Sequence, residues 1–255
     1  MSGFRRGYAG VALFSALSFW TSCALVREDR RPCPCALSVQ LTALPAYPVS
    51  LLLGGVQVGY ALRDTTLVVP LEKEAAATLV AFSGAVAETR DGAPYVRIPQ
   101  GFEAPPLHAF SAVVNPHGEQ AHLRVQMRRD FCTLSLHFSG PPGWGEPCRV
   151  EVCSLTDGLA LETGEPTAGP FRCTLEGDFS CRLPRQGDPL HLRLEITMPE
   201  GVVRSFPLGA CLREAGYDWH APVLEDIALE LDCSVTEIHF RLSGWPDAQT
   251  WEIRI

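Results

Sequence analysis

The chain has 255 residues, 21 lysines and arginines against 29 acidic residues, and a formal charge of −8. After Arg31 the only neighbouring basic pair is Arg128-Arg129, so there is no basic face to grip a phosphate backbone, and nucleic acid is excluded as a partner. Proline at 21 and glycine at 22 are high for this length, and long runs of helical period are few, which predicts an all-β chain punctuated by turns.

The first 35 residues read as an export signal and a tether. Arg5 and Arg6 make a short basic head, and Ala9 to Trp20 is an uncharged, mostly apolar run. Thr21, Ser22 and Cys23 close it, and charge follows from Arg27 to Arg31. Such a run is too short to span a membrane and has the anatomy of a bacterial signal peptide over residues 1–22. The Thr21-Ser22-Cys23 junction resembles a lipoprotein lipobox, with Trp20 standing where leucine is commonest. Cys23 is therefore expected to carry lipid such as palmitate and to open a lipidated linker over 23–35. Each buried methylene contributes about 0.8 kcal/mol, so several acyl chains hold a protein firmly on a membrane. An ordinary cleaved signal with Cys23 as a bystander is the alternative.

With Cys23 acylated, an odd number of the 10 cysteines remains, and these cannot all pair. Export permits disulfides. Cys148–Cys153 and Cys173–Cys181 each lie within one short strand-turn-strand segment. Cys132 and Cys233 sit in apolar runs, where a thiol packs as a small hydrophobe. Pairing and unpaired burial both stay open. No Cys-x2-Cys pair exists, the histidines are not suitably spaced, and no metal site is expected.

From Ala36 the chain turns to strand-length apolar runs bounded by Pro, Gly, Asn or Asp. Leu37, Val39 and Leu41 alternate with polar neighbours as a half-buried strand. Val49 to Val58 reads as an apolar run interrupted by a Gly54-Gly55 turn. Thr66–Val69, Thr78–Phe82, Tyr95–Pro99, Ala109–Val114 and Ala121–Met127 follow, with Leu71–Ala77 a short helix or turn. Spacing of about 10–15 residues suits a sandwich. At Arg128-Arg129-Asp130 the character changes, and a new strand carries Cys132, Leu134, Leu136 and Phe138 on one face until Pro141-Pro142-Gly143. Further strands are expected over Arg149–Ser154, Phe171–Leu175, Leu190–Met198, Val202–Pro207, Ile227–Leu231, Ile238–Leu242 and Trp251–Ile255, the last tucked into a sheet. Leu190, Leu192, Leu194 and Ile196 are expected to share a face. The reading is two β-sandwich domains, 36–127 and 128–255, with no repeat visible in the sequence.

Chemistry is sparse. Gly216-Tyr217-Asp218-Trp219-His220 reads as a ligand loop or as a turn whose aromatics cap the second sandwich, and the turn is favoured. Glu225 and Asp226, as strand neighbours, face opposite ways and do not converge for acid–base work. His117, His122 and His137 lack the spacing of a metal site or triad, and no nucleophile elbow or phosphate-cradling glycine loop occurs. No catalytic, cofactor or metal residue is expected, and the chain does not read as an enzyme.

Four stretches together resemble the fimbrillin-associated anchor proteins of Bacteroidia, the FimB-like family. They are the lipoprotein signal with Cys33-Pro-Cys35, the Arg128-Arg129-Asp130-Phe131-Cys132 opening, and Phe206-Pro-Leu-Gly209 with Gly216-Tyr217-Asp218-Trp219. The fourth runs from Leu224-Glu225-Asp226-Ile227 through Gly244-Trp245 to Trp251–Ile255. The resemblance implies two tandem transthyretin-like Greek-key β-sandwiches and a place at the base of a fimbria or as an accessory pilus subunit. It also implies an outer-membrane tether through Cys23 and capture of a pilin by β-strand addition. A surface lipoprotein that binds carbohydrate or another ligand on a β-sandwich is the second expectation.

Overall fold

The computed structural model describes residues 34–73, 75–139, 149–175, 179–198, 201–232, 238–242 and 250–253. The leader, Cys23, Cys33, the 141–143 break and the last two residues lie outside them. The first half holds β1 (Cys35–Leu41), β2 (Val49–Leu53), β3 (Val56–Ala61), β4 (Thr65–Leu71), β5 (Ala77–Ser83), β6 (Glu88–Arg90), β7 (Ala93–Arg97), β8 (His108–Val114), β9 (Gln120–Val125) and β10 (Arg128–Arg129). The second half holds β11 (Phe131–Ser139), β12 (Arg149–Ala160), β13 (Glu165–Leu175), β14 (Ser180–Pro184), β15 (Arg193–Thr197), β16 (Val203–Phe206), a helix α1 (Leu208–Glu214), β17 (Ile227–Asp232), β18 (Ile238–Leu242) and β19 (Thr250–Ile253).

One topology is built twice. In the first half β1 lies between antiparallel β4 and parallel β9, and the order β3-β2-β5-β8 forms the facing antiparallel sheet. In the second half β11 lies between antiparallel β14 and parallel β17, and β13-β12-β15-β16 forms the facing sheet. Strand for strand the partners correspond. The expected all-β pair of transthyretin-like sandwiches is the fold.

Alternation explains both cores. Leu37, Val39 and Leu41 of β1 pack against Val49 and Leu51 of β2 and Leu79 and Ala81 of β5. At the corresponding places, Cys132, Leu134 and Leu136 of β11 meet Val150 and Val152 of β12 and Leu194 and Ile196 of β15. Each fully buried aliphatic side chain contributes about 1.5–3 kcal/mol, so this inward row holds each pair of sheets together.

The halves differ in what is added. The chain between β5 and β8 leaves the first sandwich as the β6–β7 hairpin, and β7 pairs with the far end of β12. Gly158 permits that contact, because a Cβ there would meet Val96 O at 2.0 Å. β5 is consequently buried on both faces: Val80 and Phe82 point away from the first core into a third apolar cluster with Val96, Leu107, Leu159 and Leu161. This cluster is the joint between the sandwiches.

Several elements depart from the sequence reading. β12 runs on to Ala160 because β7 and β13 supply partners beyond Ser154. β13 begins at Glu165 in spite of Pro166 and Pro170, which its edge position tolerates. Residues 71–73 end β4 and turn, and no helix is described there. Leu190 leaves the predicted face: Pro189–His191 is a short 3-10 turn capped by Asp188, and Leu190 is exposed. Helix α1 follows Pro207, and its Gly209 is tolerated because a Cβ would strike Pro189 O.

Candidate functional site

The joint gathers residues that the sequence scatters over about a hundred positions. Asp130 and Arg185 are both buried, and Arg185 Nε donates to Asp130 Oδ1 at 2.7 Å. Arg128 Nε reaches the same oxygen at 2.8 Å. Arg185 also donates to the carbonyls of Trp219, Arg129 and Ala221. Burial pushes the Asp130 carboxyl up from its ordinary value, against the pull of Arg128 and Arg185. Arg129 lies over the Phe131 ring, 4.4 Å from its centroid, and bonds Asp226 Oδ1 at 2.6 Å. That same Oδ1 accepts Thr133 N, while Tyr217 Oη donates to Glu225 O at 2.6 Å.

Three of the quoted stretches therefore meet: Arg128–Cys132, Gly216–Trp219 and Leu224–Ile227. Tyr217 and Trp219 are buried with ring centroids 4.7 Å apart, and Asp218 Oδ1 accepts His220 N. The two rings thus pack inward as the cap of a turn. Asp226 is half exposed, as a solvated acid would be, yet it fastens the start of β11. Arg185 was not legible, since a single arginine in Pro184-Arg185-Gln186-Gly187 reads as a polar turn. Cys23 lies outside the described residues. Among the described residues no three His, Cys, Asp or Glu side chains converge as metal ligands. A wide recess of about 650 Å³ lies between β6–β7 and β12–β13, where Tyr95 bonds Glu88 and Thr167 bonds Asp157.

What remains for recognition is the sheet edges, where unpaired backbone groups can accept another strand. The edge at β13 and β14 is closed from within. Residues following β7 run along it, with Gly101 N bonding Arg172 O at 2.9 Å and Ala104 N bonding Arg182 O at 2.9 Å. Glu103 holds both the Arg182 amide and its guanidinium. Pro166, Pro170 and Pro184 remove donors from the same edge.

Among the described residues nothing covers the corresponding edge of the first sandwich, at β3 and β4. Each of these strands has a strand partner on one side alone. Neither VQVGYA nor TTLVVPL carries a charge. Tyr60, Leu62 and Val68 beside it are exposed at 53%, 73% and 67%. Among the described residues no loop hydrogen-bonds to the outward backbone of either strand. Asp64 accepts the amides of Ala43 and Leu44, which fixes the turn between them without covering the edge.

No family model matches the chain, and the curated proteins give no sequence match. Solved structures do match. The fimbrial anchor protein Mfa2 of Porphyromonas gingivalis superposes with a TM-score of 0.61 at 16% identity, over 87% of this chain and 99% of that one. The chain shares its fold. A candidate adhesin from Bacteroides thetaiotaomicron gives a TM-score of 0.61 at 14% identity, over 88% and 99%. A candidate polysaccharide-binding protein of the DUF1812 group from the same species gives 0.60 at 13%, over 86% and 98%. Structures similar to this chain thus include a fimbrial anchor and adhesins of Bacteroidia, at low identity.

Proposed function

We propose that this chain is an outer-membrane lipoprotein that holds a fimbria to the cell surface, as its anchor or as an accessory subunit. The lipid on Cys23 is the membrane end, and the β3–β4 edge is the pilin end. The observation that carries the reading is that edge: uncharged and, among the described residues, bare, while its twin at β13–β14 is covered by the chain itself. An extended pilin segment laid along β4 gains main-chain hydrogen bonds for affinity, and its alternate side chains meet the faces bearing Thr66 and Val68 for specificity. Support for the surface role comes from the leader and from the shared fold with a fimbrial anchor and adhesins. The role is mechanical, with no reaction to catalyse.

Replacing Cys23 with Ser tests the membrane end. The variant should leave the outer-membrane fraction and shed fimbriae into the medium. A C23S protein that stays membrane-bound, with fimbriae unchanged, removes the tether from the proposal. Capture of the major pilin of its own cells by the purified full chain tests the other end.

A further inference from the structure

Three cysteines lie in the second core: Cys132 on β11, Cys173 on β13 and Cys181 on β14. All are buried, and none touches the joint described above except Cys132, which shares a hydrogen bond with Tyr217. Cys173 stands opposite Val152 on the inward face of one sheet, and Cys181 stands opposite Leu134 on the inward face of the other. β13 and β14 follow each other in the chain and close the same side of the sandwich, so the two thiols face each other where the sheets converge and share a hydrogen bond. We propose that Cys173 and Cys181 form a disulfide in the exported protein, one that staples the two sheets at the edge where no backbone ladder joins them.

Of the described cysteines on β11 to β14, the geometry selects this pair. Cys132 opposes Leu183 and Cys181 opposes Leu134, so Cys132 and Cys181 are diagonal neighbours on one face. Diagonal Cα atoms are about 7–8 Å apart, beyond the reach of about 7 Å that a disulfide tolerates. Cys153 follows the inward Val152 and faces the other way, beside Arg172 and Glu195. Cys132 instead lies beside Tyr217, with which it shares a hydrogen bond, and has no described cysteine facing it across the sheets. Cys132 therefore stays a thiol.

The bond forms by exchange. One thiolate attacks a protein disulfide of the exported thiol-oxidant class, giving a mixed disulfide, and the second thiolate displaces the oxidant's sulfur. Cys173 and Cys181 together lose two protons and two electrons, and the oxidant leaves as a dithiol. Closure happens before the core seals, because the neighbouring Cys173 thiol, and then burial, push the Cys181 pKa up once it is folded.

This inference rests on the export reading, and two arms keep them separable. First, the full chain in its own cells is fractionated, denatured in alkylating agent without reductant, digested and weighed. A linked Cys173–Cys181 peptide pair two hydrogens lighter than the thiols, with Cys132 alkylated, is the expected result. An exported chain with both cysteines alkylated overturns the disulfide and leaves export standing. A chain confined to the cytoplasm removes the export reading, and the second arm then decides the pairing. In that arm the purified full chain is refolded with oxidised and reduced glutathione. Linkage of Cys173 to Cys181 supports the inference; another pair, or none, overturns it. Reductant should lower the Tm of the linked protein by about 5–10 °C and leave the C173A/C181A double variant unmoved.

Discussion

The β3–β4 edge and the β13–β14 edge occupy the same place in two copies of one topology, yet they are finished in opposite ways. The second is fastened to Glu103 and Ala104 and lined inside by Cys173 and Cys181, and it carries Pro166, Pro170 and Pro184 where the first has Pro70 alone. The first keeps uncharged, β-branched sequence with exposed Val68 and Tyr60. A folded protein normally blunts such edges, because they template aggregation. The proposed capture of a pilin rests on this contrast between an edge left open and one that the chain covers with its own insert.

The largest effect should come from the joint that holds the covering insert in place. Replacing Arg185 with Ala leaves Asp130 buried with Arg128 as its remaining partner, and removing one member of a buried pair costs about 3–5 kcal/mol. Chemical denaturation should show this loss, and a loss below about 1 kcal/mol would remove the Asp130–Arg185 pair from the account of the joint. Gly158→Ala comes next. Its Cβ would meet Val96 O at 2.0 Å, so β7 must move away from β12 at a cost of about 1–3 kcal/mol. Limited proteolysis should then cut within residues 88–107, where the wild type resists. If cleavage appears nowhere in the insert, β7 is not what holds the cover down.

A smaller effect is expected from pH. His108 is half-buried, stands edge-on to Phe131 with ring centroids 5.6 Å apart, and pairs in register with Arg129. Burial first, and Arg129 in addition, lower its pKa below 6.5. Between that lowered value and 6.5 the unfolded chain binds more protons than the folded one, so stability rises with pH across this window. The contribution is fully present above 6.5 and is lost as pH falls through the folded value. His108→Gln should flatten the slope of denaturation midpoint against pH in that window. An unchanged slope assigns the pH dependence to other groups.

Much of this fold was legible because both sandwiches obey period two. β1, β5, β11 and β17 fall where alternating or continuous apolar runs place them, and the Gly54-Gly55 turn joins β2 to β3 as expected. The duplication was not legible, since topology repeats here with different side chains on each strand. The extension of β12 to Ala160 was missed for a related reason: Leu155-Thr156-Asp157-Gly158 lacks a clean alternation, and its partners β7 and β13 come from distant or proline-bearing sequence. The cluster of Asp130 with Arg128 and Arg185 was half legible. Arg128-Arg129-Asp130 announces itself as a charged break, but which arginine would bury with Asp130 depends on the turn after β14, which no local pattern encodes.

The two edge strands themselves should give the smallest change in stability and the most informative change in binding. Val68→Lys on β4 and Tyr60→Lys on β3 each place a charge on an exposed side chain, and surface substitutions of this kind stay within about 0.5 kcal/mol. An edge lysine nevertheless opposes strand addition, because an incoming strand strips water from the ammonium and gains no partner for it. Pilin capture by the full chain should therefore fall at least about tenfold for the lysine on the strand that receives the partner, and stay near wild type for the other. β4 is the strand expected to lose binding, being the longer of the two and joined to β1 without a bulge, whereas β3 shifts register against β2 beside Leu51. Loss at Tyr60 alone would move the acceptor to β3. Binding unchanged by both lysines would mean that the bare edge has some other use, and the contrast with β13–β14 would lose its functional meaning.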